Sequence, residues 1–214
     1  MIKELELSIP TDWSGITLKK YLVLQQDLKS YEDDEEAMVA LMMSHLCGLD
    51  AEYLHSIPVD TYNQIRETLT SFISQTEHPL QKIIRIDGKE YGFEPNLSQL
   101  SYGAYLDISK YQTMTIDDNW ASIMSILYRP VMEKKGDMYH IAPYTGNIDK
   151  DKFLEVGMHI HFGCLFFFVN LSMDLLNAIL SSLKVEGIPP NIKSILEKSG
   201  EVTHRLLNLQ TEMS

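Results

Sequence analysis

Cysteine is scarce: Cys47 and Cys164 are the 2 in 214 residues, and both lie in apolar runs. Two thiols make no disulfide framework of the kind that staples small secreted folds, and buried free thiols in a reducing compartment account for them. Positive charge is also short, with 18 Lys and Arg against 30 Asp and Glu, for a formal net charge of -12. Phosphate contacts need clustered Lys and Arg, so nucleic acid is not expected as the main partner. The acidity reads as a solubility feature, with an acidic face that docks a basic partner or mimics a polyanion as the sharper alternative.

Recognisable catalytic patterns are missing too. There is no Gly-x-Ser-x-Gly, no Cys with a paired His in a local signature, and no Gly-rich phosphate loop. No catalytic residue, cofactor site or metal-ligand set is therefore assigned. The opening MIKELELSIPTDW lacks the basic-then-apolar layout of a signal peptide, which predicts a cytosolic protein at synthesis.

What is present is ordinary for a globular chain: 44% hydrophobic and 22% charged residues. That length supports one sizeable core, or two small ones sharing an interface. Leu5, Leu7 and Ile9 alternate with polar residues and predict a short strand ended by Pro10. Thr17 is placed to cap a helix bearing Leu18, Tyr21, Leu22, Leu24 and Leu28. The acidic run Ser30 to Glu36 suits the start of the next helix, since the macrodipole favours carboxylates there; it lacks the alternating ligands and central glycine of a calcium loop. Ala37 to Cys47 is apolar all round, which predicts a central helix, and Gly48 is set to end it in the left-handed conformation. Asp50 to Ile57 reads as one further helical turn, and a helix opening at Val59 or Asp60 carries Tyr62, Ile65, Leu69, Phe72 and Ile73.

The character changes near His78-Pro79. Ile84 to Ile86 and Glu90 to Phe93 flank Asp87-Gly88, which predicts a two-residue hairpin. The strand around Leu5 to Ile9 is the expected third partner, lying along Leu80 to Arg85. Leu100 to Tyr111 reads as a short helix capped by Ser101 with tyrosines on its surface. Asp117 or Asp118 is expected to cap the helix of Trp120 to Tyr128, which Arg129-Pro130 ends. Tyr139 and Ile141 make a short strand after the Gly136-Asp137 turn. A long apolar segment then runs from Phe153 to Leu183, and a final helix from about Asn191 to Leu209. The fold class is α+β: one mainly helical domain with a small antiparallel sheet, its helical part at about 16–77 and a soft boundary near 78.

His159-Ile160-His161, with Cys164 close by, is the only tempting metal motif. Residues two apart on a helix point roughly 200° apart and cannot share a metal, so buried or interfacial histidines are the reading here. Ile160 to Leu180 has the length of a membrane span, but His161, Asn170, Asp174 and Asn177 recur along it at helical spacing, so a packed central helix is expected instead. Tyr91, Tyr102, Tyr105, Tyr111, Tyr128, Tyr139 and Tyr144 crowd one stretch, and tyrosine is enriched at interfaces as well as at core edges. Arg129 is fixed between a helix end and a proline; it reads as a structural ion pair or carbonyl cap, or else as a partner contact. The candidate partner contacts are thus Tyr102, Tyr105, Tyr128, Arg129, Tyr139 and Tyr144.

Five phrases between residues 9 and 171 add a family reading: IPTDWSGITLKKYLVLQ, LCGLDAEYLHSIPVDTYNQI, IDGKEYGFEPNLSQLSYGAYLDI, ILYRPVMEKKGDMYHIAPY and GCLFFFVNL. Together they resemble a family of proteins from tailed bacteriophages, especially large phages of gut bacteria. None is a catalytic motif, so the resemblance brings no functional residue with it. It implies a non-enzymatic assembly protein, akin to a tail assembly chaperone, that binds other phage structural proteins in the host cytoplasm. The alternative is a virion component of the tail or head-tail connector, as a homo-oligomer. Outside that class stand an acidic host-factor regulator and a small enzyme, for which His140, His159, His161 and Asp174 are the first residues to mutate.

Overall fold

A computed structural model describes residues 8–49, 51–75, 78–111 and 116–186. Its α+β architecture is the one expected, helices around a four-stranded antiparallel sheet of order β1-β2-β3-β4. Helices α1 (Leu18–Lys29), α2 (Glu35–Cys47), α3 (Ala51–Leu54) and α4 (Val59–Ile73) come first. Strands β1 (Ile83–Ile86) and β2 (Lys89–Phe93) follow, then α5 (Tyr102–Ser109) and α6 (Trp120–Leu127). Strands β3 (Tyr128–Lys135) and β4 (Met138–Ile141) complete the sheet, and α7 (Lys150–Leu154) and α8 (Met158–Glu186) close the described chain.

The local signals work as the side chains require. Thr17 Oγ1 accepts from Lys20 N at 3.3 Å, Asp34 Oδ1 from Ala37 N at 3.0 Å, and Ser101 Oγ from Ala104 N at 3.3 Å. Each satisfies an amide that the first helical turn leaves without a partner. Gly48 ends α2 at φ 68°, and the hairpin turn has φ 51° at Asp87 and 75° at Gly88, the positive pair a two-residue turn demands.

Several expectations are corrected. The third strand of the sheet is β3, not the N-terminal segment: β2 pairs with β3 through Tyr91↔Pro130, Gly92↔Arg129 and Phe93↔Tyr128. Ser8 to Pro10 form no strand, and Ile9 packs on the helical cluster of Val39, Met43, Leu49, Ile65 and Leu69; Leu5 and Leu7 lie outside the described residues, as does the expected final helix from Asn191 to Leu209. Helix α6 stops at Leu127, just before Arg129-Pro130, and Tyr128, expected as its last residue, instead opens β3. Proline fits there because its missing N–H falls where β3 changes partner, β2 pairing ending at Pro130 and β4 pairing beginning at Val131↔Ile141.

The central helix is α6 rather than α2: all of Trp120 to Leu127 is buried, whereas α2 buries Val39 and Met43. No Asp side chain caps α6; its N-cap is Asn119, and Asp117 Oδ1 accepts from Asn119 N at 2.8 Å. The long apolar segment is also broken, at Glu155 to Gly157, where Leu18 N donates to Val156 O and Met158 N to Ile16 O. Gly157 is required by the close approach, since a Cβ there would sit 2.5 Å from Ser14 O.

Trp13 ties the first helices to α8. Its ring stacks on Phe72 of α4 at 4.4 Å and meets Phe162 of α8 edge-on at 5.0 Å. Aromatic contacts therefore cross the seam expected near His78, whose own ring stacks on Phe166. Leu46 packs on both the larger core and the helical cluster.

Candidate interaction surface

The tyrosine-rich stretch divides sharply by direction. On α5, Ala104 is fully buried while Tyr102 and Tyr105 are 75% and 60% exposed, with Leu106 at 42% beside them. An 8-residue helix has little stability of its own, so its position comes from tertiary contacts. Tyr144 supplies one, its hydroxyl donating to Asp107 Oδ2 at 2.5 Å while Lys110 pairs with the other carboxylate oxygen. Lys110 and then Tyr144 hold the Asp107 carboxyl below its ordinary range. Burial and this hydrogen bond push the Tyr144 phenol up to about 12, so it stays a donor at all physiological pH.

The other candidates point inward. Tyr128 is 1% exposed and donates to Gln81 O at 2.7 Å; Tyr139 is 9% exposed and donates to Phe93 O at 2.7 Å. Arg129 forms an ion pair with Glu94, the two side chains 12% and 11% exposed. These three brace the sheet and leave little side-chain surface for a partner. Arg129 thus takes the structural role weighed beside the functional one. The open part of the set is Tyr102 and Tyr105, fastened from beneath by Tyr144.

The two histidines of the tempting metal motif lie on α8 in different environments. His161 is fully buried between Trp120 and the Phe153 carbonyl; His159 is half-buried close to Asp12 and His78. Burial lowers both from their ordinary value, His161 to about 4. Among the described residues no group of three or more His, Cys, Asp or Glu is arranged to hold a metal ion.

A second apolar surface lies on α8. Helix α8 is embedded as far as Cys164 and half-buried to Val169, but Asn170 to Leu175 are exposed. Leu171 and Leu175 are 44% and 61% exposed, so this end is not the packed central helix expected. The stretch Met158–Leu175 has a mean hydropathy of 1.3 with 33% of its residues buried, long and apolar enough to cross a membrane by length and composition.

Comparison with protein families, with characterised proteins and with solved structures finds no match to this chain.

Proposed function

We propose that this is a non-enzymatic assembly protein of a tailed bacteriophage, akin to a tail assembly chaperone, which binds another phage structural protein through α5. The single observation that carries the binding role is the exposure of Tyr102, Tyr105 and Leu106 side by side on a helix pinned by the Tyr144–Asp107 bond. Tyrosine brings large amphipathic area with little conformational entropy to lose, which makes such a patch a suitable anchor for a protein partner. The phage context rests on the sequence resemblance.

Quantitative mass spectrometry of purified particles beside infected-cell lysate tests the reading. An assembly chaperone is abundant in lysate and absent from particles. A fixed copy number in particles would instead make the chain a virion component, and failure to co-purify with any phage structural protein would remove the proposal.

A further inference from the structure

We propose that β1 is a docking edge, onto which an extended segment of another protein, bearing Lys or Arg, adds as a further strand of the sheet. β1 stands at the end of the order β1-β2-β3-β4 and pairs with β2 alone, in unbroken register from Ile83↔Gly92 to Ile86↔Lys89. Phe93 N donates to Lys82 O at 2.8 Å, so the alternation of an antiparallel ladder turns the backbone groups of Ile84 and Ile86 toward β2 as well. The N–H and C=O of Ile83 and Arg85 therefore point the other way, and among the described residues no backbone group pairs with them. The opposite edge is less suited. Pairing of β3 with β4 shifts at a bulge between Val131 and Glu133, and a bulge twists an edge away from a new partner.

Beside that edge lies a groove of about 610 Å³, walled by β1 on one side and by the junction of α7 and α8, residues 151–160, on the other. Every residue of β1 borders it, although their side chains alternate between the two faces of the sheet, which places the groove along the edge of the strand. The charges around it select the occupant. Its two basic side chains are already engaged, Arg85 with Glu90 at 3.4 Å and Lys152 with Asp149 at 2.6 Å. Of its acidic ones, Glu155 meets Lys19 at 3.6 Å, whereas Asp87 and Asp151 have no ion-pair partner among the described residues. The uncompensated charge at the groove is thus negative, which suits a basic segment and repels an acidic one. Main-chain pairing would supply the affinity, and these carboxylates the choice of partner. The edge shares no residue with α5, so it stands or falls independently of binding through Tyr102 and Tyr105.

Amide exchange followed by NMR on the purified full chain tests this, with two capped peptides as probes, Lys-Val-Lys-Val-Lys-Val and Glu-Val-Glu-Val-Glu-Val. In the free chain the Ile83 and Arg85 amides should exchange at least about a hundredfold faster than those of Ile84 and Ile86, which the β2 ladder protects. Saturating Lys-Val peptide should slow Ile83 and Arg85 by about tenfold or more. The Glu-Val peptide should bind at least about tenfold more weakly. Arg85→Pro removes an N–H that β2 does not use, so Ile84 and Ile86 should stay protected while the Lys-Val peptide binds at least about tenfold more weakly. Asp87→Asn/Asp151→Asn keeps the hairpin turn, because Asn tolerates a positive φ, and should erase the preference between the two peptides. Slow exchange at Ile83 and Arg85 in the free chain at every concentration would mean that the chain covers its own edge. Protection that grows with protein concentration would mean a second copy. Either result overturns the proposal, as does equal binding of the two peptides, a preference that survives the Asn variant, or no protection by the Lys-Val peptide.

Discussion

Trp120 and His161 meet in the core, the indole Nε1–H donating to His161 Nδ1 at 3.2 Å. With Nδ1 accepting, the ring proton sits on Nε2, which donates to Phe153 O at 3.1 Å. One neutral imidazole thereby joins α6, α7 and α8. Protonation would put a charge in a fully buried site and turn the acceptor for Trp120 into a donor.

The pH consequence has a definite sign. An unfolded chain takes up this proton near pH 6.5, whereas burial lowers the folded-state value to about 4. The unfolded chain therefore binds more protons between those values, and the stabilising contribution is whole above pH 6.5 and lost as pH falls to about 4. The shift corresponds to about 3 kcal/mol. Chemical denaturation at stepped pH should show that acid limb, and His161→Asn should flatten it while lowering stability at pH 7. His78 and His159, also lowered by burial, act in the same direction and leave a residual slope.

The Arg129–Glu94 pair joins the start of β3 to the residue after β2, where Glu94 N also donates to Leu127 O at 2.8 Å. Removing one partner leaves a nearly buried charge alone, so Glu94→Ala and Arg129→Ala should each cost about 3 kcal/mol. Their double variant should lose clearly less than the sum in a double-mutant cycle. Additive losses would show that the two side chains do not interact.

Gly92 lies across from Arg129 in β2, and a Cβ there would come within 2.6 Å of the Tyr139 ring. That ring is held by its hydroxyl bond to Phe93 O, so it cannot swing away without giving up the bond. Gly92→Ala should lower stability by roughly 1–3 kcal/mol, and its double variant with Tyr139→Ala should lose less than the sum of the two single losses. Thermal unfolding of the single and double variants checks this.

Short-range chemistry was legible in the sequence, and long-range geometry was not. Asp87-Gly88, Gly48, Thr17 and Ser101 act within a few residues of themselves, so their turn and caps follow from residue type alone. Strand β3 was hidden because Pro130 argues against a strand until one knows that two different neighbours pair on either side of it. The break at Gly157 depends on Ser14, far away in the chain, and apolar periodicity cannot register it. At the candidate site, α5 was read with its tyrosines outward, as found. Tyr128, read as the end of a helix, and Tyr139 were grouped with them because tyrosine is enriched at interfaces and core edges alike, and only the pairing of β3 with its neighbours shows which are covered. Residues Asn170 to Leu175 mislead in the opposite sense: an apolar sequence suggested burial, and the side chains are exposed.

Tyr102 and Tyr105 contribute little to the core at their exposure, so Tyr102→Ala/Tyr105→Ala should change stability by less than about 1 kcal/mol. The same double variant should lose at least about tenfold in partner affinity, as expected when aromatic anchors are removed. Equilibrium denaturation and affinity capture from infected cells measure the two effects separately. Asp107→Asn should weaken capture more mildly, by loosening the Tyr144 and Lys110 contacts beneath α5.

The most direct measurement places a photo-crosslinking amino acid at position 105 in infected cells, with position 31 as a control on a different exposed surface. Tyr31 is 47% exposed and lies just beyond the end of α1. Binding through α5 predicts one dominant adduct at 105, with a phage structural protein, and no such adduct at 31. No adduct at 105, or the same adducts at both positions, would contradict it.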